Sequence, residues 1–135
     1  MNWRLTAGRI FPIYLMLEFL EHPKFQKQAA DLQRRFPGFN KGIAAARLIF
    51  EVHFHPVNPS PKIAPGKLHC ILQSENYVVW KLELAVAGLK SKQYPRVWFA
   101  VSGARILFLC AHTHIDNYDD GEKSKEALEL VRDFF

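Results

Sequence analysis

An α+β fold, with a helical hairpin leading into an antiparallel sheet and a last helix, is predicted by three features of the sequence. Between His22 and His55 the apolar residues recur every three or four positions, the period of a helix. From Leu68 to Ala111 they mostly alternate with polar ones, the period of a strand. After an acidic stretch at 115–122 the helical period returns. The 135 residues, 49% hydrophobic and 23% charged, suit a single domain (1–135) with one core, and their number excludes barrel enzymes of about 250 residues.

The elements follow in order. Ile13–Phe19 is rich in β-formers and reads as a buried strand. The apolar segment Ile10–Leu20 around it holds Pro12 and Glu18, is too short to span a membrane and has no small-residue cleavage site after it, so a cytoplasmic protein without a membrane partner is expected. Pro23 suits the first turn of a helix whose inner face is Phe25, Ala29, Leu32 and Phe36, with Lys24, Lys27, Asp31, Arg34 and Arg35 outside. Pro37-Gly38 stops it. A second helix over Asn40–His55 carries the stripe Ile43, Ala46, Phe50 and Phe54. Pro56, Pro59, Pro61 and Pro65 then mark an irregular connection ending at Gly66.

Leu68–Gln73 reads as a short strand, and Val78–Val86 as a clearer one in which Trp80, Leu82, Leu84 and Val86 share a face. Arg96–Val101 alternates next, Ser102-Gly103 turns tightly, and Ile106–Ala111 is apolar on both faces, as a central strand is. The last helix spans Ser124–Phe134, with Leu128, Val131 and Phe135 on one side. Cys70 and Cys110, widely spaced in apolar surroundings, read as reduced core residues.

Charge is unevenly spread. Residues 1–112 hold 15 Lys and Arg against 6 Asp and Glu, a balance of +9, whereas 113–135 hold 3 against 7, a balance of −4. A basic body suggests a phosphate-bearing partner.

Four stretches resemble one family: His22-Pro23-Lys24-Phe25 before the helical hairpin, Val79-Trp80-Lys81-Leu82-Glu83, Pro95-Arg96-Val97-Trp98-Phe99-Ala100-Val101, and Ala104-Arg105-Ile106-Leu107-Phe108-Leu109 with its polar continuation. Together they resemble the RelE/ParE toxin superfamily of toxin–antitoxin systems, most closely its YhaV-like branch, over about residues 10–130. The resemblance implies a RelE-like α+β fold and an endoribonuclease acting on mRNA, often at the ribosome, held in check by a cognate antitoxin. It also implies chemistry without metal or cofactor, in which the ribose 2′-OH attacks the adjacent phosphate. Such a reaction needs a base, an acid and fixed positive charge for the phosphorane. The resemblance assigns Arg96 to the scissile phosphate and Lys81 to the family's strand lysine, and it places acid–base work among His112, His114 and Tyr118. Glu83 departs from the pattern, standing where many members have a second cation, and no arginine precedes Tyr118 after the last strand. A ParE-like protein that inhibits a partner such as DNA gyrase is therefore the alternative.

Each residue also has a plainer reading. Strand parity sets His112 and His114 on the face of Ile106, Phe108 and Cys110, as an acid–base pair or as two strand-end histidines. Arg96 is either a phosphate clamp or a partner of Glu83 across the sheet, Lys81 a site lysine or part of a solvated face, and Tyr118 an acid or a packed loop residue. Lys67, Lys90, Lys92 and Arg105 lie in loops and turns where they could track an RNA backbone. Trp80 and Trp98 read as core. The run His112-Thr113-His114-Ile115-Asp116-Asn117 looks like a metallo-β-lactamase metal motif, but Asn117 replaces its last histidine and the chain is too short for that fold. The acidic group Asp116, Asp119, Asp120 and Glu122 reads as the charged start of the last helix, and it would repel RNA if it lay over the site.

Overall fold

A computed structural model describes the backbone at residues 3–6, 9–12, 17–113 and 120–135, and the side chains within 17–113 and 120–135. The chain opens with a two-stranded antiparallel pair, β1 (Trp3–Thr6) and β2 (Arg9–Pro12). It continues through β3 (Glu18–Glu21), α1 (Pro23–Arg35), α2 (Phe39–His53), β4 (Leu68–Gln73), β5 (Val78–Glu83), β6 (Arg96–Ser102), β7 (Arg105–His112) and α3 (Asp120–Leu130). The main sheet has five strands in the order β3-β7-β6-β5-β4.

The expected antiparallel meander is β4 to β7, but the sheet as a whole is mixed. β3 adds parallel to β7, because the connection between them runs through both hairpin helices and the meander. The strand expected at Ile13–Phe19 is found at Glu18–Glu21 instead, and residues 13–16 of that expectation lie outside the described ones. β7, flanked on both sides, is the central strand its apolar sequence called for. Gly103 makes the tight β6–β7 turn with φ +59°, a conformation open to glycine.

Helices cover both faces. α1 and α2 bury Phe25, Leu32, Ile43, Ala46 and Phe50 against Leu82, Val97, Phe99, Ile106 and Phe108. α3 buries Ala127 against Val79, Trp98, Ala100, Leu107, Leu109 and Cys110, and Val131 joins them from the short turn that follows it. The hairpin side is a stack of rings: Phe50 lies 4.6 Å from Phe99, and Phe25 lies 5.1 Å from Phe108. At the entry to α1, His22 caps the helix. Its Nδ1 accepts from the Lys24 N–H at 3.0 Å, while its Nε2 meets Asp133 at 2.7 Å. No helix among the described residues is long and apolar enough to cross a membrane.

One irregularity decides where the site forms. Trp98 pairs with Cys110, but Phe99 pairs with Phe108, so Leu109 is an extra residue in β7. Such a bulge reverses the alternation beyond it. Ile106 and Phe108 point to the helical hairpin, while Cys110 and His112 point to the α3 side. The parity that set His112 on the face of Ile106 and Phe108 is therefore corrected: His112 shares its face with Trp98 and Arg96.

Candidate active site

Polar side chains gather at the end of the α3 face where β5 and β6 meet the end of β7. Register builds the group. Lys81 pairs with Trp98, Glu83 with Arg96, and Arg96 with His112. These residues project to one face because strand side chains alternate, and because the bulge at Leu109 brings His112 into phase. The Trp98 indole N–H donates to Ser124 Oγ at 3.0 Å, fixing α3 on the sheet one turn after its start. That contact sets Asp120, the first residue of α3, over the group.

The Asp120 carboxylate collects three cation-forming side chains. Oδ1 accepts from His112 Nε2 at 2.8 Å, and Oδ2 accepts from Lys81 Nζ at 3.1 Å and lies 3.5 Å from Arg96 Nε. A carboxylate only accepts, so this imidazole nitrogen carries the proton. Glu83 forms the second centre, with Arg96 Nη1 at 3.6 Å, Lys67 Nζ at 3.5 Å and His69 Nε2 at 3.5 Å. Arg96 also donates from Nη1 to the Tyr94 carbonyl at 2.6 Å and is buried, with 9% of its side chain exposed.

Burial opposes ionisation of Asp120. The hydrogen bonds from His112 and Lys81 and the charges of both groups outweigh it, so the carboxyl is held below its ordinary value. It therefore stays ionised and electrostatically bound at neutral pH.

The sequence-expected residues divide three ways. Arg96, Lys81 and His112 come together. Lys67 lies at the rim of the group, bonded to Ser91 Oγ and set against the Tyr94 ring, so the exposed turn carrying Lys90 and Lys92 sits at this end of the sheet. Arg105 does not join them. It begins β7, seven residues before His112 and roughly 20 Å away at strand rise, and its guanidinium lies over the Phe135 ring. His114 and Tyr118, with Asp116 and Asn117 of the apparent metal motif, lie outside the described residues. Among the described residues, no three His, Cys, Asp or Glu side chains are grouped as metal ligands would be.

Two residues gain a part the sequence did not give them. Asp120 was expected in the charged start of the last helix, and with Glu122 it does lie in the first turn of α3, but it also covers the site. His69 enters because it pairs with Lys81 across β4 and β5. The expected Arg96–Glu83 contact is present, while Lys81 points to the same side as predicted yet is bound to Asp120 rather than solvated. Trp98 is fully buried and Trp80 packs at the margin of the hairpin core.

Comparison with protein-family models, curated proteins and solved structures found no match for this chain.

Proposed function

We propose that the protein is a toxin-type mRNA endoribonuclease of the RelE/ParE kind, cleaving by metal-independent transesterification. The observation that carries this reading is the convergence of Arg96, Lys81 and His112 on one monoanion. Two oxygens of a single negative group meeting a guanidinium, an ammonium and an imidazole form the arrangement that a phosphodiester requires.

In the proposed reaction the 2′ oxygen bonds to phosphorus and loses its proton, while the bond from phosphorus to the 5′ oxygen breaks. The products are a 2′,3′-cyclic phosphate and a free 5′-hydroxyl, which takes up a proton. Arg96 and Lys81 balance the charge that builds on the phosphorane oxygens. His112 delivers the proton to the leaving oxygen, and Glu83, the other carboxylate of the group, accepts the proton of the 2′-OH. His114 and Tyr118 keep the acid–base roles that the resemblance gives them. Lys67, Lys90 and Lys92 would hold the flanking backbone at the same end of the sheet.

The setting that goes with this reading is the cytoplasm, with ribosome-bound mRNA as substrate and a cognate antitoxin as partner. Apolar side chains on the outer face of α2 support a protein partner: Leu48 is 74% exposed, and Ile49 and Val52 are 41% exposed.

Purified protein should cut single-stranded RNA or ribosome-bound mRNA in the presence of EDTA and leave 2′,3′-cyclic phosphate ends. Arg96→Ala and His112→Ala should each remove the cut. Cleavage that needs a divalent metal, or that survives both substitutions, refutes the mechanism. The pairing of Arg96 with two carboxylates favours a second reading, a ParE-like protein whose toxicity comes from binding a partner such as gyrase. Growth arrest with intact mRNA and blocked supercoiling would select it.

A further inference from the structure

We propose that Asp120 is a built-in substitute for the substrate phosphate, holding the site closed until an anion replaces it; this rests on the phosphodiester reading above. The contacts of Asp120 are divided as those of a phosphate would be. One oxygen takes the imidazole, and the other takes the ammonium with the guanidinium edge beside it. The charge is the same single negative unit. With Asp120 in place, every donor of Arg96, Lys81 and His112 aimed at this point faces a carboxylate oxygen, and a phosphodiester can reach them only by displacing it.

The placement of Asp120 is not explained by helix capping. It is the first residue of α3, yet its carboxylate turns to the sheet and binds Lys81 and His112. The Ser124 contact with Trp98, one turn along, anchors the helix without it. Asp120 can therefore let go of the cations while α3 stays on the sheet. A competitor within the molecule lowers apparent affinity by the fraction of molecules in which it occupies the site. The site is thus self-limiting: isolated phosphates bind poorly, and a longer RNA that also engages Lys67, Lys90 and Lys92 gains enough to displace the carboxylate.

The test uses the full chain with inorganic phosphate as probe, followed through the His112 imidazole signals in NMR. Asp120→Asn and Asp120→Ser are compared with the wild type, serine being included because it suits a helix start. Both should bind phosphate about tenfold more tightly than wild type if the closed form predominates by that factor. Adding Lys81→Met to Asp120→Asn should cancel the gain. Thermal melting identifies the folded variants, and either of the two suffices. Equal or weaker phosphate binding in a folded Asp120 variant overturns the proposal, as does a gain that persists without Lys81. RNA cleavage is scored separately. Tighter phosphate binding without cleavage by any form keeps the closed anion site and rejects the nuclease reading. Cleavage by the wild type with no gain in the Asp120 variants does the reverse.

Discussion

Arg96 and His112 are directly registered partners across β6 and β7, and both reach the same carboxylate, Asp120. The distance between the guanidinium and the imidazole is therefore set by backbone pairing rather than by loop conformation. Sites carried on regular elements hold geometry well because their side chains inherit the rigidity of the ladder. Glu83 belongs to the same arrangement, being the registered partner of Arg96 on the other side. Three strands thus deliver Glu83, Arg96 and His112 side by side, and α3 sets Asp120 against the last two.

Removing the arginine should be costly to the fold as well as to any activity. Arg96 is buried and stands between Glu83 and Asp120, so Arg96→Ala leaves two partly buried carboxylates facing each other without it. Breaking such an arrangement by deleting one partner costs about 3 kcal/mol or more. Urea unfolding should show that loss for Arg96→Ala and a smaller one for Arg96→Lys, which keeps the charge. Equal midpoints for wild type and Arg96→Ala would contradict the ion-pair network.

Acid stability should carry the signature of two carboxyls. Asp120 and Glu126 are each disfavoured as anions by burial, yet both are held below their ordinary values. His112 and Lys81 do this for Asp120, and Lys123 and Lys24 do it for Glu126. The unfolded chain therefore binds these protons more tightly than the folded one. The stabilisation is complete above the ordinary carboxylate values of 3.8 and 4.5, and it is lost as pH falls through the lowered ones. Denaturant midpoints measured downward from pH 6 should fall below about pH 4.5, and Asp120→Asn should shallow that fall. An unchanged acid limb in the variant would show that Asp120 is not held by its neighbours.

Much of this arrangement is written in the sequence, and the exceptions have physical causes. α1 is legible because one face is apolar and the other charged, and α2 because its stripe recurs at helical spacing, so Phe25, Leu32, Ile43, Ala46 and Phe50 are buried as the spacing predicts. Lys81 and Glu83 are legible as a common face from their alternation with Trp80 and Leu82. The face of His112 is not. Ile106 to Cys110 are all fully buried, so no polar residue marks the step at which Leu109 is inserted. The parallel pairing of β3 is hidden for a different reason, since hydrophobic pattern records burial and not partner. α3 begins at Asp120 rather than at Ser124 because its first turn is polar and carries no helical stripe.

The two thiols should behave oppositely. Cys110 is buried between β7 and α3, and burial, with the Glu126 charge, pushes its thiol up to about 12. Cys70 is exposed on β4, at the edge of the sheet. A thiol reagent at pH 8 should label Cys70 rapidly and Cys110 only on unfolding, since the thiolate is the reactive form. The raised value also implies that folding strength is full below the ordinary cysteine value of 9.0 and declines as pH climbs toward 12. Two equally fast thiols in the native protein would contradict this packing.

Gly42 should resist substitution although it sits in a helix. A Cβ there would lie 2.8 Å from the Ala85 carbonyl oxygen, which belongs to backbone and cannot swing aside. Alanine gains up to about 1 kcal/mol in helix propensity. Forcing α2 off the strand end costs about 1–3 kcal/mol. Gly42→Ala should therefore be neutral to destabilising in thermal unfolding, and a clear rise in melting temperature would show that α2 is not tightly seated.

The bulge gives the most discriminating prediction about the site. Phe108 faces the helical hairpin while Leu109 and Cys110 both face α3, so Leu109 is the extra residue on that side. Deleting Leu109 leaves Phe108 followed directly by Cys110, and simple alternation then keeps Cys110 and His112 on the α3 side and Ala111 under the hairpin. Inserting one alanine between Ala111 and His112 does the opposite: the imidazole would turn toward the layer of Val97 and Phe99, and Asp120 would lose its closest partner. Leu109→Ala serves as the control for lost packing, since removing that buried side chain costs about 2–5 kcal/mol without changing the residue count. The deletion and the alanine substitution should both retain the His112–Asp120 coupling seen in NMR titration, and the insertion should abolish it. Loss of the coupling in a folded deletion variant would show that Leu109 is not the residue whose insertion sets the direction of His112.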